Sequence, residues 1–145
     1  MSISWLYVGD LDVTVKGRLP LSHIPSEAGI YRLISGTYCY VGQAQNLRNR
    51  VYEYCRPTQH LEHEHRLHWL LRGKKCRVEV AVTPEMKSLA HRRSQEEIAF
   101  EQSRQEGLVL WNLSQHSKSA QYQMLIEYHE VMIPKYTALL AGGTR

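Results

Sequence analysis

The stretch AGIYRLISGTYCYVGQAQNLRNRV, residues 28–51, contains the clearest structural pattern of the chain. Its first half alternates in polarity, which places Tyr31 and Leu33 on one face of a predicted strand. Residues 35–37 (Ser-Gly-Thr) supply a tight turn, and the segment YCYVG then returns as a second strand. A helix is expected to start near Asn46. The stretch therefore predicts a β-hairpin followed by a helix.

The composition is that of an ordinary globular protein with a net positive charge. The chain has 145 residues, 43% of them hydrophobic and 22% charged, and a formal net charge of +4. This balance favours an anionic partner. The three cysteines form no CxxC pair, so neither a disulfide framework nor a cysteine zinc site is indicated. Neither a secretory signal nor a membrane span is apparent, and we expect an intracellular, cytoplasmic protein.

The remaining segments predict further strands and helices. An N-terminal strand precedes a proline-containing loop, and CRVEVAV at 76–82 alternates as a strand. A helix is expected at 60–75, and a longer one at 83–107 with Thr83 as its N-cap. A last helix spans 120–133, where Pro134 should stop it; it packs on the sheet, or its Met-rich stripe forms a dimer seam. This order predicts a small α+β domain with a mostly antiparallel sheet.

The hairpin and its helix bring together groups that suit a phosphate. Tyr31 and Tyr40 can lie near one another on one face, while the helix carries Arg48 and Arg50. A phenol can orient or deprotonate water, and a guanidinium can bind phosphate oxygens. The alternative is that the tyrosines only fill the hairpin and the arginines only solvate the helix, which composition alone favours.

The pattern is more specific than the composition. GIY at 29–31, YVG at 40–42 and Arg50, directly before Val51, resemble the GIY-YIG nuclease family. The resemblance covers about 28–113 and implies a three-stranded central sheet flanked by helices. On this basis residues 1–145 form a single domain whose other parts are an N-terminal strand extension at 1–27 and a C-terminal helix and tail at 114–145.

The resemblance also implies a metal-binding glutamate on a later helix and an asparagine after it. Asn112 in LWNLS fits the asparagine. Glu96, Glu97 and Glu101 compete for the glutamate. Helical spacing from Met86 predicts a buried stripe with Glu101 near its centre, Glu97 at its edge and Glu96 pointing away. We therefore expect Glu101 to bind the metal, with Glu97 as the alternative.

Other positions are assigned to nucleic-acid contact. Many relatives have a histidine four residues after the arginine, where this chain has Tyr54; its phenol can still donate a hydrogen bond. His63 lies where some homing nucleases have a second histidine, and Arg48 and Arg56 suit phosphate contacts. Arg92 and Arg93 belong to a wider set of basic residues that could hold the backbone. The histidines around residue 63 do not form a zinc motif.

The resemblance implies Mg²⁺- or Mn²⁺-dependent hydrolysis of DNA, branched or duplex, with RNA not excluded. Tyr31 would activate the water, Tyr40 would hydrogen-bond it, and Arg50 would stabilise the phosphate. Asn112 would support the glutamate and the local backbone. A monomer or a homodimer fits this scheme. The alternative is a catalytically silent DNA-binding or interaction module of the same fold.

Overall fold

The computed structural model describes residues 2–12, 23–54 and 75–142. The chain divides into two compact units, one ending at Asn112 and the other beginning at Leu113. This boundary lies one residue from the predicted end of the family core, and the assignment of a single domain to 1–145 stays a prediction. The helix expected at 60–75 lies outside the described residues, apart from Lys75, which begins a strand.

The first unit is built on a five-stranded sheet. The strands are β1 (Leu6–Asp12), β2 (Gly29–Ser35), β3 (Tyr38–Ala44), β4 (Lys75–Ala81) and β5 (Val109–Leu110), and their order in the sheet is β1-β4-β2-β3-β5. All neighbours are antiparallel except β3 and β5. The predicted α+β fold is confirmed: β4, β2 and β3 form the antiparallel centre, and the N-terminal strand β1 extends it at one edge.

The β2–β3 hairpin has the predicted strands but a shorter turn. Ser35 pairs with Tyr38, so only Gly36 and Thr37 form the loop, and the expected three-residue turn is wrong. Gly36 has a φ of 61°, which a residue without a Cβ adopts readily. The register then sets Tyr31 opposite Gly42.

The two faces of the sheet carry different helices. Helix α1 (Leu47–Glu53) lies on the face of Tyr31, since Tyr54, which follows the helix, reaches the Tyr31 hydroxyl. Asn46 caps α1 as predicted, because its side chain accepts a hydrogen bond from the Asn49 amide at 3.0 Å. Helix α2 (Leu89–Gln105) packs on the opposite face, where Ala99 and Phe100 join a core that also contains Ile30, Cys39 and Val41.

A buried ionic network also attaches α2 to the sheet. Arg32 lies on the α2 face of β2 and pairs with Glu79 of β4 at 2.6 Å. Its Nη1 donates to Glu106, just after α2, at 2.5 Å, and to Ser103 at 3.2 Å. Because Arg32 and Ser103 are buried, breaking this network would leave polar groups unsatisfied inside the protein. The network fixes the position of the α2 carboxyl end relative to the sheet.

The start of α2 differs from the prediction. Thr83 makes no side-chain capping bond and precedes a 3₁₀ turn, Pro84–Lys87, instead of an α-helix. Ser88 then has extended backbone angles and caps α2 by accepting from the His91 amide at 3.3 Å. The α-helix therefore begins at Leu89. Its end near Gly107, whose φ is 83°, agrees with the prediction.

The second unit contains a 3₁₀ turn (Leu113–Gln115) and helix α3 (Lys118–Ala141). The prediction that Pro134 stops this helix is wrong, because Pro134 lies inside it. A proline inside a helix removes one N–H donor and crowds the carbonyl four residues earlier, but its fixed φ is compatible with a helix. The chain continues helically, and Thr137 Oγ1 donates to the Ile133 carbonyl at 2.9 Å.

None of the helices within 2–12, 23–54 and 75–142 combines the length and the apolar character that crossing a membrane requires.

Candidate active site

Tyr31 lies at the centre of the candidate site. It stands in the middle strand pair β2–β3, and only 1% of its surface is exposed. Its ring passes over Gly42 so closely that a Cβ at Gly42 would clash with the Tyr31 Cζ and Oη atoms. The second glycine of the two tripeptides is therefore required by the position of the first tyrosine.

Two side chains from the α1 region reach the Tyr31 hydroxyl. The Oη atoms of Tyr31 and Tyr54 are 2.6 Å apart, and either can be the donor. Arg50 Nε donates to Tyr31 Oη at 3.4 Å, and Arg50 Nη1 donates to Glu53 at 2.9 Å. Because α1 is capped at Asn46 and packs through Leu47 and Val51, Arg50 and Tyr54 are held one turn apart on the same helix side.

Tyr40 completes the aromatic part of the site. Its ring centroid lies 6.5 Å from that of Tyr31, so the hairpin brings the two tyrosines together as the strand parity predicts. Tyr40 is half-buried, whereas Tyr31 and Tyr54 are buried. Tyr40 is thus the phenol of this cluster that is most open to a ligand.

The surroundings of Tyr31 act on its ionisation in opposite directions. Burial raises the pKa of Tyr31, the Arg50 charge and the Tyr54 hydrogen bond lower it, and the charge of Glu96 raises it. The net pKa lies above the ordinary value of 10.0. Burial likewise raises the pKa of Tyr54 well above that value, with the charges of Tyr31 and Tyr40 adding to the effect. Both phenols are therefore protonated at neutral pH.

The structure does not support the stripe predicted through Glu101. With about 100° per residue, Ala99 and Ser103 lie close to the direction of Arg92, and all three are buried. Glu101 points about 180° from Arg92. Its side chain is 62% exposed and pairs with Arg104 at 3.3 Å. The prediction started from Met86, which belongs to the 3₁₀ turn and has no helical phase relation to α2.

Glu96 was predicted to point away from the buried stripe of this helix. It lies instead on the buried row of α2, the side that carries Arg92, Ala99 and Ser103. It follows Arg92 by four residues and is half-buried. Burial raises the pKa of the Glu96 carboxyl above 4.5, the charge of Glu97 adds to the effect, and Arg93 opposes it. Its charge also acts on Tyr31. With Met86 excluded from the helix, the apolar pair Ala99 and Phe100 sets the phase of α2 and places Glu96 on the buried side.

Asn112 stabilises the backbone of β3 next to the site. Its Oδ1 accepts from the Val41 amide at 3.0 Å, and its Nδ2 donates to the Val41 carbonyl at 2.6 Å. The side chain thereby pairs with β3 just beyond the two residues of β5. Because Val41 stands between Tyr40 and Gly42, Asn112 fixes the backbone at the point where the tripeptide YVG meets Tyr31.

Two predicted phosphate-binding arginines have structural partners. Arg48 Nε donates to the Ile24 carbonyl at 2.8 Å. Arg92 is buried, and its Nε and Nη1 donate to Gln43 and to the Met86 carbonyl, each at 2.8 Å. The proposal that Arg92 holds a nucleic-acid backbone is therefore wrong, and the role of Arg48 stays a prediction. His63 and Arg56 lie outside the described residues.

A divalent cation fits the residues present. Within residues 2–12, 23–54 and 75–142 no group of three or more metal-ligating side chains occurs. Across the same ranges, no hydrogen bond or ion pair joins the Glu96 carboxylate to another residue. A half-buried carboxylate of this kind suits Mg²⁺, which commonly uses one or two carboxylates and retains several waters.

Comparison with known proteins agrees with this geometry. The family described as "UvrC-like GIY-YIG domain" matches residues 27–92. Two proteins named UvrABC system protein C, from Legionella pneumophila strains Lens and Paris, are each 45% identical to this chain over 49 residues. The match covers 32% of this chain and 8% of each relative's length. No solved structure matches the chain.

A hairpin with paired tyrosines, followed by an arginine-bearing helix, is the arrangement that carries the predicted GIY-YIG resemblance. Residues 27–92 are similar to the UvrC-like GIY-YIG domain, and the predicted resemblance is confirmed. The family match ends at Arg92, before Glu96, Glu101 and Asn112. The roles of these three residues therefore depend on the geometry of α2 and β5.

Proposed function

We propose that this chain is a divalent-metal-dependent endonuclease that hydrolyses phosphodiester bonds in DNA. The main support is the assembly around one phenolic oxygen, where the Tyr54 hydroxyl and Arg50 Nε contact the Tyr31 hydroxyl. Basic net charge is consistent with an anionic polymer as substrate.

Tyr31 orients the attacking water and accepts its proton. A protonated phenol cannot act as a base, so Tyr31 must release its proton to solvent before the attack and then takes up the proton of the attacking water. Arg50 lowers its pKa by charge, and Tyr54 stabilises the phenolate by donating a hydrogen bond at 2.6 Å. Arg50 is permanently charged and can also bind a non-bridging phosphate oxygen.

Glu96 takes the metal-binding role that the sequence argument gave to Glu101. Glu96 would hold Mg²⁺ or Mn²⁺, which would supply Lewis-acid polarisation of the scissile phosphate and stabilise charge on the leaving 3′-oxygen. Tyr40 hydrogen-bonds the water or the phosphate at the open side of the cluster. Asn112 positions Tyr40 and Gly42 through Val41 and does not touch the reacting atoms.

Cleavage of supercoiled plasmid in Mg²⁺ or Mn²⁺, against an EDTA control, tests this function. Wild type should give nicked or linear product, and Tyr31→Phe and Arg50→Ala should each lose about 100-fold or more in rate. Tyr38→Phe is the matched control, since Tyr38 lies in the same hairpin with 39% exposure and its ring contact with Trp111 is kept. It should cleave like wild type.

The test also separates the catalytically silent alternative. A folded wild-type chain that binds DNA in a salt-sensitive manner, yet cleaves neither plasmid, branched DNA nor RNA, would make it a binding module. Cleavage of RNA alone would replace DNA as the substrate. Undiminished cleavage by Tyr31→Phe would remove Tyr31 from the chemistry.

A further inference from the structure

Helix α3 carries a side-chain pattern that the nuclease function does not use. Six residues recur at alternating intervals of four and three: Tyr122, Ile126, His129, Ile133, Tyr136 and Leu140. We call this set the seam. The spacing is that of the a and d positions of a coiled coil, with Ile126, Ile133 and Leu140 at a. Apolar side chains at this spacing form a stripe along one face, which a second helix can cover.

The apolar members of the seam are unusually exposed. The exposed fractions are 61% for Tyr122, 50% for Ile126, 58% for Ile133 and 79% for Leu140. Met132, in the Met-rich stripe that the sequence suggested as a dimer surface, is buried at 7%. The exposed face of α3 is thus a different one.

The exposed area is sufficient for a weak dimer. These four side chains present on the order of 500 Å² of surface, near the upper limit of the largest apolar patch on a typical monomer. A standard specific interface buries about 800 Å² on each partner, and weak complexes bury less. Helix α3 has 24 residues and is about 36 Å long. It contains the whole seam, so two copies can pair along all six seam positions.

We propose that the seam joins two copies of this chain as an antiparallel helix pair. The six seam positions are symmetric about Val131. In an antiparallel pair Tyr122 faces Leu140 of the partner subunit, and Ile126 faces the partner's Tyr136. His129 then faces the partner's Ile133. Each aliphatic side chain packs against a ring, whereas a parallel pair would set tyrosine against tyrosine and histidine against histidine.

The remaining α3 residues are compatible with this pairing. Pro134 falls at position b, outside the seam, so its missing N–H does not face the partner. Val131 falls at position f, the position farthest from the partner, with 40% exposure. The pairing does not depend on the proposed nuclease activity.

Sedimentation velocity of the full chain across a concentration series tests the proposal. Wild type should shift from 16.9 kDa toward twice that mass as concentration rises. Ile133→Glu should weaken self-association by about 100-fold, because each dimer buries two copies of the side chain. Val131→Glu adds the same charge off the seam and should self-associate like wild type. Circular dichroism checks that each variant is folded, and Ile126→Glu replaces Ile133→Glu if the latter fails.

Cysteine cross-linking tests the orientation. A mixture of His129→Cys and Ile133→Cys chains should form the mixed disulfide in preference to either homodimer, with wild type measuring the background from native cysteines. A preference for the two homodimers would indicate a parallel pair and overturn the antiparallel seam. A wild-type chain that stays at 16.9 kDa up to about 200 µM, or equal dissociation by Val131→Glu, would overturn the dimer itself.

Discussion

Tyr31 is a buried phenol whose ionisation is opposed by burial and assisted by Arg50. Its own position depends on a neighbour that has no side chain, Gly42, and its hydroxyl is shared with Tyr54. The GIY-YIG resemblance implies a histidine at the position of Tyr54. Here a second phenol at 2.6 Å takes the place of an imidazole, which keeps a hydrogen-bond donor but removes a group that titrates near neutral pH.

The raised pKa values of Tyr31 and Tyr54 predict a loss of stability at high pH. Above pH 10 the unfolded phenols ionise, while the folded phenols stay protonated up to their higher pKa values. The free energy of unfolding is therefore fully maintained below pH 10 and falls as the pH rises through the folded pKa values.

Urea unfolding at a series of pH values from 8 to about 11.5 measures this effect. Tyr54→Phe should flatten the decline, because phenylalanine removes one of the two ionisations. Tyr38→Phe, at an exposed position of the same hairpin, should keep the wild-type slope. If the free energy of unfolding declined with pH equally in Tyr54→Phe and wild type, the raised pKa of Tyr54 would be contradicted.

At the scale of elements, the hairpin is the part that sequence predicts best. The alternation of polar and apolar residues predicts which tyrosines share a face. Gly29 and Gly42 mark the positions where a Cβ would clash with neighbouring atoms. The start of α2 was predicted poorly because Thr83 and Pro84 are typical of a helix N-terminus as well as of a 3₁₀ turn. That error of phase moved the expected buried carboxylate from Glu96 to Glu101.

Gly42→Ala tests the coupling between the strand pair and the site. A methyl group at Gly42 meets the Tyr31 ring and hydroxyl, so the substitution should lower the free energy of unfolding by about 1–3 kcal/mol and displace Tyr31. Cleavage by the folded variant should be largely lost. Denaturant unfolding and plasmid cleavage measure the two effects.

Gly36→Ala is the matched control for this substitution. Gly36 has a φ of 61° but no atom within 4 Å of an added Cβ, so the cost, about 1 kcal/mol, comes from backbone strain alone. Its folded form should cleave like wild type. Equal losses of activity in the two variants would show that the Gly42–Tyr31 contact has no special importance.

At the scale of the whole molecule, the antiparallel centre of the sheet and the N-terminal strand followed from the sequence, but the parallel pairing of β5 at the other edge did not. Strand β5 has only two residues, too few for an alternation to be visible, and it is positioned by Asn112. The buried position of Arg92 was also unpredictable, because an arginine on a helix is usually solvated and its carbonyl partner Met86 lies in a turn that the sequence did not reveal.

The net charge of +4 predicts DNA binding that weakens as salt is added. Arg93 is exposed beside Glu96 and is a candidate phosphate contact. Arg93→Gln should reduce the slope of log affinity against log salt by about one. Arg104→Gln removes the same charge from the far part of α2 and should leave the slope unchanged. Fluorescence anisotropy with a duplex oligonucleotide measures both, and equal slopes for the two variants would exclude a specific Arg93 contact.

The most direct test of the site is a comparison of Glu96→Gln with Glu101→Gln in metal-dependent cleavage of supercoiled plasmid. Both substitutions remove one carboxylate from α2, and neither changes side-chain size appreciably. Glu96→Gln should lose about 100-fold or more in rate at saturating Mg²⁺, while Glu101→Gln should retain wild-type activity. The reverse result would return the metal to Glu101 and contradict the assignment of the site to the buried row of α2.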